Sequence, residues 1–173
     1  MSIIKRLFGD KDERAAMLPL YNAIVTEARQ PVWYSEGAVP DTLDGRFDMV
    51  AAVLSAVLIR LETEGESAQV PSVLLTEVFV DDMDGQLRQL GIGDMIVGKH
   101  IGKMMSALGG RLTAYREGFS GSDLEGALVR NLYRGEAPSP EALDYVVTRL
   151  HRLVAALRGT AGAEIIAGRL PQP

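Results

Sequence analysis

The chain has 173 residues, 47% hydrophobic and 24% charged, with a formal net charge of -5 and no cysteine. That length and composition suit one folded domain that buries its own core, and they exclude a disordered chain, a disulfide scaffold, a thiolate metal centre and a cysteine nucleophile. Eighteen Lys and Arg against 23 Asp and Glu disfavour broad attachment to nucleic acid or anionic lipid.

Residues 1–18 form an amino-terminal segment in which Ile3, Ile4, Leu7 and Phe8 surround Lys5 and Arg6 before the chain turns acidic at Asp10, Asp12 and Glu13. It lacks a cleavage-site pattern and reads as a short apolar turn that lies on a membrane surface or docks on the domain. Residues 19–173 read as a single-domain, all-α, irregular bundle of about six to seven helices, because helical spacing recurs in nearly every segment and strict alternation is missing. Pro19 suits the first turn of a helix carrying Leu20, Ile24 and Ala28 and ending near Arg29. A loop with Trp33 and Tyr34 between Pro31 and Pro40 follows; the aromatic pair suits either a partner anchor or, more commonly, the closing of one end of a core. Asp41 or Thr42 caps the next helix, whose Phe47, Val50, Ala51, Leu54, Val57, Leu58 and Leu61 make a long apolar stripe. Its uncharged run, Met49 to Ile59, is shorter than the about 20 residues that cross a bilayer and reads as a buried central helix.

Gly65 closes that helix, and Val73, Leu74, Val78, Leu87 and Leu90 predict another after Pro71, with a break near Asp84-Gly85. From Asp94 a continuous stripe runs through Val97, Ile101, Met104, Met105, Leu108, Leu112 and Tyr115. Gly98, Gly102 and Gly109 line up on one side of it; glycine costs about 1 kcal/mol relative to alanine in a helix, so the set predicts close approach of another helix, by preference one of this domain and otherwise one of a client. Ser122 and Glu125 form a capping box opening a short helix to Arg134. Ser139-Pro140 starts the next, with Leu143, Val146, Leu150, Leu153 and Leu157 inward, and a last short helix includes Ile165 and Ile166.

Catalytic motifs are incomplete. Gly93 to Lys99 comes within one residue of a phosphate-binding loop, but His100 stands where a magnesium-binding hydroxyl is required and no strand precedes it. His100 and His151 offer a haem or metal ligand, yet neither belongs to a Glu-x-x-His or His-x-x-x-His pair, and half-buried packing is the ordinary role of such residues. Glu77, Asp81, Asp82 and Asp84 do not fit a twelve-residue calcium loop around Gly85. No nucleophile elbow is present. The two charged, glycine-punctuated blocks, Val39 to Asp48 and Asp81 to Lys99, therefore read as a binding surface and helix punctuation rather than as a reaction centre.

In order along the chain, Leu20-Tyr21, Ala28-Arg29, Tyr34, Val39-Pro-Asp-Thr42, Asp44-Gly-Arg-Phe-Asp48, Phe79, Met83-Asp84, Leu87-Arg88, Gly91-Ile-Gly-Asp94, Val97-Gly-Lys99, Gly110-Arg111 and Ala114-Tyr115 resemble the ubiquinol-cytochrome c chaperone family, assembly factors of the cytochrome bc1 complex. Gln89 and Leu108-Gly109 depart from the family pattern, which favours an acidic residue and an aromatic one there. The resemblance implies a non-enzymatic, all-helical chaperone, with no cofactor, that binds newly synthesised cytochrome b. Its surface is then built around Asp41, Asp44, Arg46, Asp82, Asp84, Arg88, Lys99 and Arg111, an apolar groove holding the client and the charges fixing its register. A second assembly factor is a candidate further partner, the amino-terminal turn offers peripheral contact with the inner membrane, and the net charge of -5 argues against direct nucleic-acid contact. The long targeting extension of mitochondrial members is missing, so the expectation is a bacterial form at the cytoplasmic face of that membrane. A haem-handling protein using His100 or His151 and a nucleotide-dependent enzyme using Gly93 to Lys99 are the alternatives.

Overall fold

The computed structural model describes residues 13–89, 91 and 94–173, without the side chains of 87, 94–98, 100, 101 and 104. The expectations placed on the amino-terminal turn, on Gly93, on the side chains of 94–97 and of His100 and on Gly98 lie outside the described residues, while the backbone from Asp94 to Lys99 is helical. The helices are α1 (Leu18–Ala28), α2 (Pro31–Ser35), α3 (Leu43–Glu62), α4 (Gln69–Gln89), α5 (Asp94–Phe119), α6 (Leu124–Asn131), α7 (Pro140–Arg158) and α8 (Gly162–Ile166). A 3-10 turn, Gly65–Ala68, joins α3 to α4, and no strand occurs among the described residues. The all-α expectation is met.

The core is organised around α3. The Thr42 hydroxyl accepts the Gly45 N–H at 3.0 Å and fixes the first turn, which selects Thr42 over Asp41 as the cap. Gly45 is required there, because a β-carbon would run into the Pro40 carbonyl. From Asp48 to Leu58 every residue is buried, so the helix is covered on all its sides and must be wrapped by others. α1, α4, α5 and α7 all pack on it. They contribute Leu20 and Ile24, Leu75 and Phe79, Tyr115, and Val146, Leu150, Leu153 and Leu157, all fully buried. Within α3 the Ser55 hydroxyl donates back to the Ala51 carbonyl at 2.7 Å, so its polar group is satisfied without a partner from another helix.

Four local expectations need correction. The stretch after Pro31 is a helical turn, not a loop: Pro31 occupies its first position, and Trp33 is fully buried with its indole N–H donated to the Glu27 carbonyl at 2.8 Å. The Arg149 guanidinium lies over that indole at 4.9 Å and pairs with Glu27 at 3.2 Å, so the aromatic residue closes one end of the core. α4 starts two residues before Pro71, which a first turn tolerates, and runs unbroken through Gly85, since packing against α1, α3 and α5 outweighs one glycine. The cap of α6 is Asp123, whose carboxylate accepts the Gly126 N–H at 2.8 Å, because Ser122 is taken up by the turn ending α5 through its N–H to the Glu117 carbonyl. That helix stops at Asn131, three residues short of Arg134. Ser139, by contrast, caps α7 as expected, accepting the Ala142 N–H.

The glycines of α5 are the fourth correction. A β-carbon built at Gly102, Gly109 or Gly110 meets nothing within 4 Å, so among the described residues no other helix approaches there. Opposite outcomes follow for two Gly→Ala changes read by urea denaturation. Gly109→Ala should stabilise by about 0.5–1 kcal/mol, the helix-propensity gain alone. Gly45→Ala should destabilise by about 1–3 kcal/mol through overlap with Pro40.

Candidate functional site

The charged residues singled out by the sequence fall into separate groups. The first surrounds Asp48, at the start of α3. Its carboxylate is fully buried and accepts from Arg111 of α5 at 2.6 Å and from Arg134, beyond α6, at 2.6 Å. Arg134 also reaches Asp44 at 2.8 Å. Burial pushes the Asp48 carboxyl above the usual carboxylate range, while Arg134 and Arg111 pull against that shift. The Arg111 guanidinium lies over the Phe47 ring at 5.4 Å, and Phe47 stands 5.7 Å from Phe79, so this cluster ties α3, α4, α5 and the end of α6 together.

Arg134 reaches Asp48 from a left-handed backbone, φ +55, a position after a helix end that usually falls to glycine. Such a conformation costs a non-glycine residue about 1–2 kcal/mol, offset here by two charge-assisted bonds to carboxylates. The Tyr133 hydroxyl, beside it, donates to the Gly37 carbonyl at 2.6 Å, pinning the same turn to the segment after α2.

The second group is local to the start of α3. Asp41 pairs with Arg46 at 2.6 Å and both side chains are exposed, the guanidinium holding the Asp41 carboxyl below its ordinary range. The third lies on α4. Asp82 accepts the Tyr21 hydroxyl at 2.7 Å and the Gln86 amide at 3.1 Å, which docks α1 on α4, and burial with the Asp82 hydrogen bond pushes the Tyr21 hydroxyl far upward. Asp84 pairs with Arg88 one turn on at 2.7 Å. Lys99 is exposed on α5.

Of the eight residues read from the sequence as a binding surface, the structure thus gathers Asp44 and Arg111 around Asp48, pairs Asp41 with Arg46 at the start of α3, sets Asp82, Asp84 and Arg88 along α4, and leaves Lys99 exposed on α5. Arg111 and Asp82 are engaged in holding helices together. Sequence reasoning missed Asp48 and Arg134 as partners, because a carboxylate next to an apolar run looks like a helix boundary and nothing marks Arg134 as left-handed. It also missed the exposed apolar side chains Val70, Val73 and Met105 on α4 and α5, for which an unbroken α4 is the missing signal.

His151 is exposed on α7, its ring edge-on to Phe119 at 6.4 Å, a packing contact and not the half-buried placement expected. Among the described residues no three His, Asp or Glu side chains stand close enough to hold a metal, and no helix is long and apolar enough to cross a membrane.

Comparison with known proteins agrees with this architecture. The family model described as ubiquinol-cytochrome C chaperone matches residues 35–171. A Xenopus laevis protein named ubiquinol-cytochrome-c reductase complex assembly factor 1 is 21% identical over 155 residues, 88% of this chain and 78% of that protein. The crystal structure of the Cbp3 homolog from Brucella abortus superposes with a TM-score of 0.81 at 30% identity, covering 99% of this chain and 97% of that one. The chain belongs to the ubiquinol-cytochrome c chaperone family.

The two kinds of ion pair predict different costs. Asp48→Ala strips the nearly buried Arg111 guanidinium of its carboxylate, while the half-exposed Arg134 keeps Asp44, and should lose about 3 kcal/mol in chemical denaturation. Asp41→Ala removes only an exposed pair and should leave the denaturation midpoint unchanged.

Proposed function

We propose that this chain, a ubiquinol-cytochrome c chaperone by family, holds newly made cytochrome b non-covalently while the bc1 complex is assembled, and makes or breaks no bond itself. The observation that carries the reading is likeness over the whole chain to the Cbp3 homolog, joined to a curated relative whose name is that of a bc1 complex assembly factor. The geometry supports it in two ways. The charged groups of the candidate surface are mostly committed to one another, in pairs such as Asp41 with Arg46 and Asp84 with Arg88, an arrangement that orients a partner rather than activating a nucleophile. Apolar side chains on α4 and α5 stay exposed, as a surface meant for an apolar client requires.

On this reading Asp41, Asp44 and Arg46 at one end, and Asp84, Arg88 and Lys99 on α4 and α5, fix the register of the client, while Asp82 and Arg111 keep the helices beneath them in place. A second assembly factor shares the task, and the work is done at the cytoplasmic face of the inner membrane, where a membrane client emerges. The test is a gene deletion. Cytochrome b protein and bc1 activity should both fall while the cytochrome b transcript persists, and unaltered bc1 activity in the deletion strain rejects the proposal.

A further inference from the structure

One face of α4 and α5 is left uncovered by the described residues. On α5, Gly102, Met105, Gly109, Leu112 and Arg116 follow one another at helical spacing of three and four residues, so they share a face. Met105 is 39% exposed, and the missing side chains of Gly102 and Gly109 leave space that no other part of the described chain enters. Across from it, α4 presents Val73, 58% exposed, together with Ser72 and Thr76, and Leu58 of α3 closes the floor. The result is an open apolar groove of about 460 Å³ between α3, α4 and α5. That volume accepts the side chains along one face of a helix rather than a whole helix.

The rim decides what the groove fits. Glu62 from the end of α3 and Glu77 from α4 both line it, each with a side chain 46% exposed. Arg116 holds Glu62 at 2.6 Å, and Arg14 stands 3.8 Å from Glu77 but only 3.0 Å from Asp81. These are exposed ion pairs, which exchange partners at little cost. An apolar floor with carboxylates on its edge selects an apolar segment flanked by lysine or arginine. That is the chemistry of a membrane-spanning helix at its cytoplasmic end, where basic residues concentrate.

We infer that the groove between α3, α4 and α5 seats an apolar helix of the client membrane protein, with its flanking basic side chains meeting Glu62 and Glu77. This rests on the chaperone reading and adds to its charged residues an apolar seat between α3, α4 and α5. The glycines of α5 then have their function: they keep the groove open for a helix that is not part of this chain, at a cost in intrinsic helix stability.

Two measurements test the inference. In a deletion strain, wild type should restore bc1 activity, whereas Gly109→Leu, which puts a bulky side chain on the α5 face that carries the groove residues Met105 and Leu112, and Val73→Asp, which puts a charge in the groove wall, should not. Both variants change positions outside the core and should melt no lower than wild type. If the deletion leaves bc1 activity normal, the chaperone reading itself falls; if wild type and both variants restore it equally, that reading stands and the groove falls. In the second measurement, purified proteins are titrated in mild detergent with a fluorescent Leu/Ala helical peptide of about 20 residues that ends in a run of lysines, and with its glutamate-ended counterpart. Wild type should prefer the lysine-ended peptide by about tenfold. The double change Glu62→Gln with Glu77→Gln should erase that preference, while Glu141→Gln with Asp144→Asn, the same loss of charge on α7, should preserve it. A preference that survives removal of Glu62 and Glu77, or self-association of the protein that Gly109→Leu abolishes, overturns the assignment, the latter by showing a second copy as the occupant.

Discussion

The burial of α3 governs the rest of the molecule. A helix with eleven consecutive buried residues, Asp48 to Leu58, has no solvent face of its own and requires neighbours on every side. α1, α4, α5 and α7 meet that demand with their own apolar stripes, and in doing so their inward faces are used up. What each presents outward is then free to differ. α7 is polar outside, whereas α4 and α5 leave Val70, Val73 and Met105 in solvent. Which outward faces are polar and which stay apolar is settled on the faces that α3 leaves over.

Asp48 shows how the scaffold deals with a charge at its edge. Left alone, a carboxylate at the start of a buried helix would be destabilising; with Arg111 and Arg134 on its two oxygens it becomes a clamp between α3, α5 and the turn after α6. The left-handed Arg134 is the local strain that this clamp tolerates. The pairs Tyr21 with Asp82 and Arg149 with Glu27 do similar work for α1 against α4 and for α7 against α1. These polar contacts lie at helix crossings and outside the apolar centre, where they set helix register while burial supplies most of the stability.

What could be read from the sequence and what could not have physical reasons. The apolar stripe of Phe47 to Leu61 was legible because its period is that of a helix and no strand can accommodate it. The Ser139 cap was legible because a hydroxyl before a proline-led helix has one favourable use, whereas Asp41 and Thr42 stayed alternatives until the Gly45 N–H was seen on Thr42. Ser122 and Asp123 are adjacent and equally good caps, so the choice depended on where α5 ended, which is tertiary information. The break expected at Gly85 did not occur because propensity is a weak force beside packing on three helices. Among the candidate site residues, the exposure of Asp41, Arg46 and Lys99 was legible from their position outside the apolar stripes. The structural engagement of Arg111 and Asp82 was not, since both partners, Asp48 and Tyr21, lie more than sixty residues away in sequence. The glycines of α5 were recognised as needing a neighbour, and among the described residues none from this domain meets Gly102 or Gly109.

The central claim is that a newly made membrane subunit rests against this helical face. The most direct measurement is site-specific photo-crosslinking in growing cells, with the photoreactive residue placed at position 105 in the groove or at position 144 on α7, followed by capture of pulse-labelled cytochrome b. The account predicts a crosslink to full-length, freshly synthesised cytochrome b from position 105 and none from position 144. Crosslinks of equal yield from both positions, or from neither, would contradict it.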